Sequence, residues 1–201
     1  IIGAILEGPI VGALVGLIFG LFSIFQALTN PTPVSFVFLN PLVSVVPRVL
    51  IGIISYYVFE ALSNLGNKKT IGILNAIWIG IAGYLSYGIY KNVVDAKSVW
   101  MIVVNIALIV VTAAIVFLAN KKLRDKTLDI VVSTIAGTLT NTGLVLSLIY
   151  LIYAESFAKS LGQDPGLARK IILGIGIANG IPEIIIAILI VTSVVGALRR
   201  T

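Results

Sequence analysis

Residues 171–198, IILGIGIANGIPEIIIAILIVTSVVGAL, form an apolar run long enough to cross a bilayer, interrupted by Asn179, Gly180, Pro182 and Glu183. A carboxylate at mid-membrane depth is costly, and such groups face a bundle interior or a water-filled cavity, which makes Glu183 a candidate functional group. Pro182 has no N–H to donate and clashes with the carbonyl four residues back, so acceptors are left free beside Asn179. The stretch predicts a membrane helix that is polar and partly opened at its centre, with the rest of the chain arranged around it.

Composition extends this to the whole molecule. With 59% hydrophobic residues, 11% charged residues and a mean hydropathy of +1.12 over 201 residues, the chain cannot bury its apolar surface in a water-soluble core. Apolar runs of about twenty residues recur, and the alternating pattern of a membrane β-barrel is missing, so the expected class is all-α and polytopic. The chain has no cysteine and no histidine. Disulfides, thiolate metal sites and the commonest proton shuttle are thereby removed, and neither a metal, a cofactor nor a catalytic residue is expected. The net charge of +6 sits in short basic clusters between apolar runs, as topology signals do, which argues against a nucleic-acid partner.

In chain order, residues 1–6 read as the end of a helix closed by Glu7, Gly8 and Pro9, with a new helix from Pro9 to about Leu28. Gly8, Gly12, Gly16 and Gly20 recur every four residues and put a glycine ridge on one face, either for close intramolecular packing or for docking a partner subunit. Residues 29–46 are rich in turn formers (Asn30, Pro31, Pro33, Asn40, Pro41) mixed with Phe36, Phe38 and Leu39. They predict a long ordered loop, either a lid over a small ligand, with Phe36, Phe38 and Pro41 in its cover, or a segment lying at the lipid headgroups. Arg48 opens the next helix, which continues to about Leu65. Two plain apolar spans, about 71–90 and 99–118, form a hairpin. A helix over about 128–154 carries Thr138, Thr140, Asn141 and Thr142, and a loop over 155–166 leads through Asp164 and Pro165 into the last helix.

Threonine hydroxyls in membrane helices often bond back to their own backbone. Asn141 differs, because its amide cannot be satisfied within its own helix and should face a neighbour or a cavity. The basic clusters Lys68/Lys69, residues 121–126 and Arg199/Arg200 are separated by even numbers of spans. All three therefore fall on one side, the cytoplasmic side with the C-terminus, and the proline-rich loop faces outward. Helical rise brings Asn141 and Asn179 to similar depths, Glu183 deeper and Arg48 higher, so that they can line one outward-facing pocket.

Four segments then carry a resemblance: IGAILEGP at 2–9, FLNPLVSVVPR at 38–48, GTLTNT at 137–142 and NGIPE at 179–183. In this order they resemble the substrate-binding S components of energy-coupling factor (ECF) vitamin transporters, most closely the pantothenate-type branch, whose relatives include hydroxymethylpyrimidine and cobalamin binders. The resemblance implies a multi-pass subunit of a prokaryotic cell membrane. It would capture a vitamin from outside, surrounded by membrane lipid, and work with a transmembrane T component and two cytoplasmic ABC ATPases. Asn40, Ser44, Arg48, Thr140, Asn141, Asn179 and Glu183 are the expected ligand-binding set. The chain reads as one membrane domain over 1–201 with six full spans and a helix stub visible. Two departures accompany the match: the family's first helix, with its docking motif, is not present, and the hairpin over about 71–118 looks like an insertion.

Two other classes stay open at this point. A stand-alone secondary transporter or channel would use Glu183 as a proton or cation site on a broken helix. An intramembrane enzyme without histidine or cysteine would need a Ser/Lys or two-aspartate arrangement, and no such constellation is visible.

Overall fold

The computed structural model describes residues 1–65, 67–94, 102–103, 105–110, 112–113 and 125–198, and its elements are helices connected by short turns. The helices are α1 (Ile2–Glu7), α2 (Pro9–Thr29), a short α3 (Pro41–Ser44), α4 (Val46–Leu65), α5 (Asn67–Val94), α6 (Asp125–Ser160) and α7 (Ala168–Leu198). Two 3-10 turns, Ser35–Leu39 and Pro165–Leu167, precede α3 and α7. Among the described residues five segments are long and apolar enough to cross a membrane: Pro9–Thr29, Pro41–Leu65, Ile71–Val94, Thr127–Ser160 and Pro165–Leu198. Half of the predicted span over 99–118 lies outside the described residues.

The glycine ridge explains how α2 and α4 approach so closely. A Cβ built at Gly12 would stand 2.5 Å from the Cβ of Ala4 and 3.0 Å from the Cα of Gly52; one at Gly20 would stand 2.7 Å from the Cα of Val45. A Cβ at Gly16 would overlap the backbone carbonyl of Arg48. Within the chain, Gly12 faces α1 and α4, Gly16 faces α4, and Gly20 faces Ser44 and Val45 where α3 meets α4. Gly8 does not share the ridge: nothing lies within 4 Å of its Cβ position, and its φ of +98° is what the turn between α1 and α2 requires. The register of four holds along the helix, but Gly8 precedes it as the cap.

Apolar clusters fix the two ends of the bundle. At one end Leu62, Trp78, Leu128, Ile135, Ile184 and Ile188 pack together. At the other, Val37 and Val43 from the segment after α2 pack on Val145, Ile149 and Phe157 of α6 and Ile172 of α7. The proline-rich segment is therefore folded down on the bundle, and much of it is helical rather than loop. Asn40 caps α3 by accepting from the Leu42 N–H at 2.9 Å, and its amide nitrogen donates to the Tyr153 hydroxyl at 3.1 Å. Phe36 meets the same tyrosine edge-on, ring centroids 5.7 Å apart. Among the described residues of α5 only Trp78 and Leu85 are buried apolar side chains, which leaves that helix at the edge of the bundle.

Two sequence expectations are corrected. The predicted loop over 155–166 is mostly helix, since α6 continues to Ser160. Polarity at Glu155 and Lys159 does not end a helix that is leaving the hydrocarbon. The end comes at Gly162, with φ +69°, where the Gln163 N–H reaches the Ala158 carbonyl (3.0 Å) and the Gly162 N–H the Lys159 carbonyl (2.9 Å), a Schellman closure. Nor is the centre of α7 opened: the helix is continuous from Ala168 to Leu198 with Pro182 inside it. Proline removes one donor, but the rest of the ladder has no water to turn to at this depth and stays intact.

Gly16→Ala should lower the melting temperature of the purified protein, because overpacking of this kind costs about 1–3 kcal/mol. Gly80→Ala, where a Cβ meets nothing within 4 Å, is the control and should leave it unchanged or slightly raised. Asn40→Ala should cost about 1 kcal/mol through the lost α3 cap, measured by the same unfolding experiment without ligand.

Candidate functional site

Between α4, α6 and α7, beneath the 3-10 turn, lies a cavity of about 250 Å³. Its polar lining comes from Arg48 on α4, Asn141 and Thr142 on α6, and Asn179 and Glu183 on α7; Phe38 covers it, and Val145, Leu146 and Ile175 give it apolar walls. The helical period places the pairs: Asn179 and Glu183 are four residues apart and share a face of α7. Gly176 also lines the cavity and lets Leu146 pack directly on α7, where a Cβ would run into that side chain.

Arg48 is the cation of this cavity, only 9% exposed. One terminal nitrogen donates to the Val43 carbonyl at 2.6 Å, so the side chain ties α3 to α4. Its guanidinium also lies near the rings of Phe19, at 5.9 Å, and Phe38, at 5.6 Å, and both contacts are favourable for a cation. The Nε–H is buried without a hydrogen-bond partner. Arg48 thus holds the covering segment through one of its five N–H groups and lines the cavity.

Across the cavity, the Thr142 hydroxyl donates to a Glu183 carboxylate oxygen at 2.9 Å, joining α6 to α7. Glu183 is exposed rather than sealed into the bundle, and Asn179 is exposed one turn away. The Glu183 charge acts on Arg48 electrostatically. The amide oxygen of Asn141 is buried and has no hydrogen-bond partner. An unpaired buried acceptor costs about 1–3 kcal/mol, which a ligand donor would recover. The site therefore offers a cation with a spare N–H at one edge, and acceptors at Asn141 and Glu183 on the other.

Of the residues expected from the sequence, Arg48, Asn141, Asn179 and Glu183 come together here, and Phe38 covers them. Asn40, Ser44 and Thr140 do not line the cavity. Asn40 is spent on the α3 cap and Tyr153, the Ser44 hydroxyl donates to the Phe38 carbonyl, and the Thr140 hydroxyl donates to the Ala136 carbonyl at 2.8 Å on its own helix. Phe36 and Pro41 are likewise absent from the lining: Phe36 packs on Tyr153, and Pro41 starts α3. Thr142 and Gly176 were missed. Thr142 was visible as the last threonine of GTLTNT, four residues along from Thr138, but only the partner helix shows that it orients Glu183.

The model of the family described as "ECF transporter, substrate-specific component" matches residues 1–104 and 70–195. The pantothenic acid transporter PanT of Lactococcus lactis subsp. cremoris (strain MG1363) is 25% identical over 215 aligned residues, which take in 100% of this chain and 74% of PanT. No solved structure matches the chain. The residues matched include the α4 arginine, the asparagine of α6 and the Asn-Gly-Ile-Pro-Glu stretch of α7, whose Asn179 and Glu183 line the cavity. The chain is a multi-pass, all-helical membrane protein and belongs to the substrate-specific components of ECF transporters.

Proposed function

We propose that this chain captures pantothenate at the outer face of a prokaryotic membrane and delivers it with an ECF T component and two ABC ATPases. The observation that carries the reading is the buried Arg48, with N–H donors left after its bond to Val43, lining a cavity that also presents the acceptors of Asn141 and Glu183. Pantothenate has the matching groups: a carboxylate for the guanidinium, and hydroxyl and amide hydrogens for Asn141 and Glu183. Arginine is suited to carboxylates by its planar donor array. The 25% identity to a pantothenic acid transporter supports the same choice. A cavity of about 250 Å³ speaks against cobalamin, whose macrocycle is far larger, and hydroxymethylpyrimidine would leave the arginine without an anion.

The orientation follows from charge. The C-terminal ends of α4 and α7 and the start of α6 lie away from the segment that covers the cavity, and the basic residues at 68–69, 121–126 and 199–200 are next to them in the sequence. With the basic end cytoplasmic, the cavity faces outward. The hairpin over 71–118 is read as an addition to one membrane domain, supported by the shallow burial of α5. Its presence leaves the orientation of every other span unchanged, because two spans return the chain to the same side.

Titration of the purified full chain with pantothenate tests the proposal, with native mass spectrometry identifying any ligand carried through purification. Asn141→Ala and Asn179→Ala should each weaken binding by about 1–3 kcal/mol while the melting temperature of the ligand-free protein holds. Unchanged affinity in both variants would move the site elsewhere.

A further inference from the structure

Arg48 belongs to two cavities. Besides the site between α6 and α7, a second cavity of about 270 Å³ lies between the C-terminal part of α2 and residues 30–38, lined by Ser23, Gln26, Asn30, Thr32 and Ser35. Phe38 and Arg48 line both. The two differ in charge. The first carries Glu183, whereas the lining of the second has hydroxyls and amides and no carboxylate, with Arg48 its one charged residue.

The neutral groups on the α2 side can also serve an anion. Ser35 Oγ accepts from the Thr32 N–H at 2.8 Å, and the Ser35 and Thr32 hydroxyls bond each other at 2.8 Å. Whichever hydroxyl donates in that pair, one hydroxyl hydrogen is left for another acceptor. Gln26 and Asn30 are exposed and line the rim with neutral amides, the Asn30 amide nitrogen donating to the Thr29 hydroxyl at 3.2 Å. An anion placed beside Glu183 would gain from Arg48 and lose to the carboxylate; on the α2 side it gains without that repulsion.

We infer that the two cavities are two compartments of one ligand site, bridged at Arg48 and Phe38. The ligand's carboxylate lies on the α2 side, and its hydroxyl and amide donors lie on the side of Asn141 and Glu183. The ligand class is a carboxylate joined by a short flexible chain to hydroxyl or amide groups. The inference rests on the pantothenate reading and adds a polarity to it and a subsite at Ser23, Gln26, Asn30, Thr32 and Ser35.

The test compares pantothenate with its neutral alcohol analogue, titrated into the purified full chain. Gln26→Glu should weaken pantothenate about tenfold through like-charge repulsion and leave the alcohol within about twofold, whereas Gln26→Lys should bind pantothenate at least as tightly as wild type. Asn30→Asp carries the same expectation as Gln26→Glu from the other edge of the cavity, so a folding defect in one variant leaves the other to decide. If both acidic variants lose the two compounds equally, or lose neither, the carboxylate is not on the α2 side and the inference fails. A wild-type chain that binds neither compound overturns the pantothenate reading, and the two-compartment site with it.

Discussion

A guanidinium buried among apolar helices is the constraint on which the site depends. Charge removed from water must be met by fixed dipoles, rings or counter-charge, and Arg48 has the Val43 carbonyl, the faces of Phe19 and Phe38 and the nearby Glu183 carboxylate. These partners come from three parts of the chain. The covering segment supplies Val43 and Phe38, α2 supplies Phe19 and α7 supplies Glu183. The arginine therefore couples the position of the cover to the state of the cavity, since N–H donors of the guanidinium are left over after the bond to Val43 is made.

What places Arg48 there is the close approach of α2 and α4. Gly12, Gly16 and Gly20 let the backbone of α4 lie against α2, and Gly16 meets the carbonyl of Arg48 itself. In lipid there is no hydrophobic driving force between helices, so packing at this distance supplies much of what holds the pair together. The same logic recurs where Gly137 of α6 faces the fully buried Ser55 of α4. Small residues bring the scaffold together, and the large polar ones are left to the cavity.

The sequence made the scaffold and the polar quartet legible for the same reason: charged and amide groups stand out in apolar helices and are costly there unless they share a site. Glu183 and Asn141 are found by that argument, and helical rise brings Asn179 and Arg48 to them. Residues within the covering segment were harder. Asn40 and Ser44 have the chemistry of ligand-binding groups, but turns also need caps, and the structure uses both for local bonds. Phe36 and Phe38 are alike in sequence and only two residues apart, yet a 3-10 turn sends one to Tyr153 and the other to the cavity. The end of α6 was misplaced because charge marks the bilayer boundary and not the end of the helix; Gly162 marks that. The continuity of α7 through Pro182 follows from the dry surroundings, which a local rule for proline leaves out.

The account's central claim is that Arg48 links the covering segment to the ligand. Amide hydrogen exchange over residues 35–44 tests it most directly, in wild type and in Arg48→Lys, each with and without pantothenate. The account requires slow exchange that slows further with ligand in wild type. It also requires faster exchange in ligand-free Arg48→Lys, because a compact ammonium does not reproduce the planar guanidinium's joint contacts with the Val43 carbonyl and the Phe19 and Phe38 rings. Exchange over 35–44 that is the same in both proteins and indifferent to ligand would contradict it.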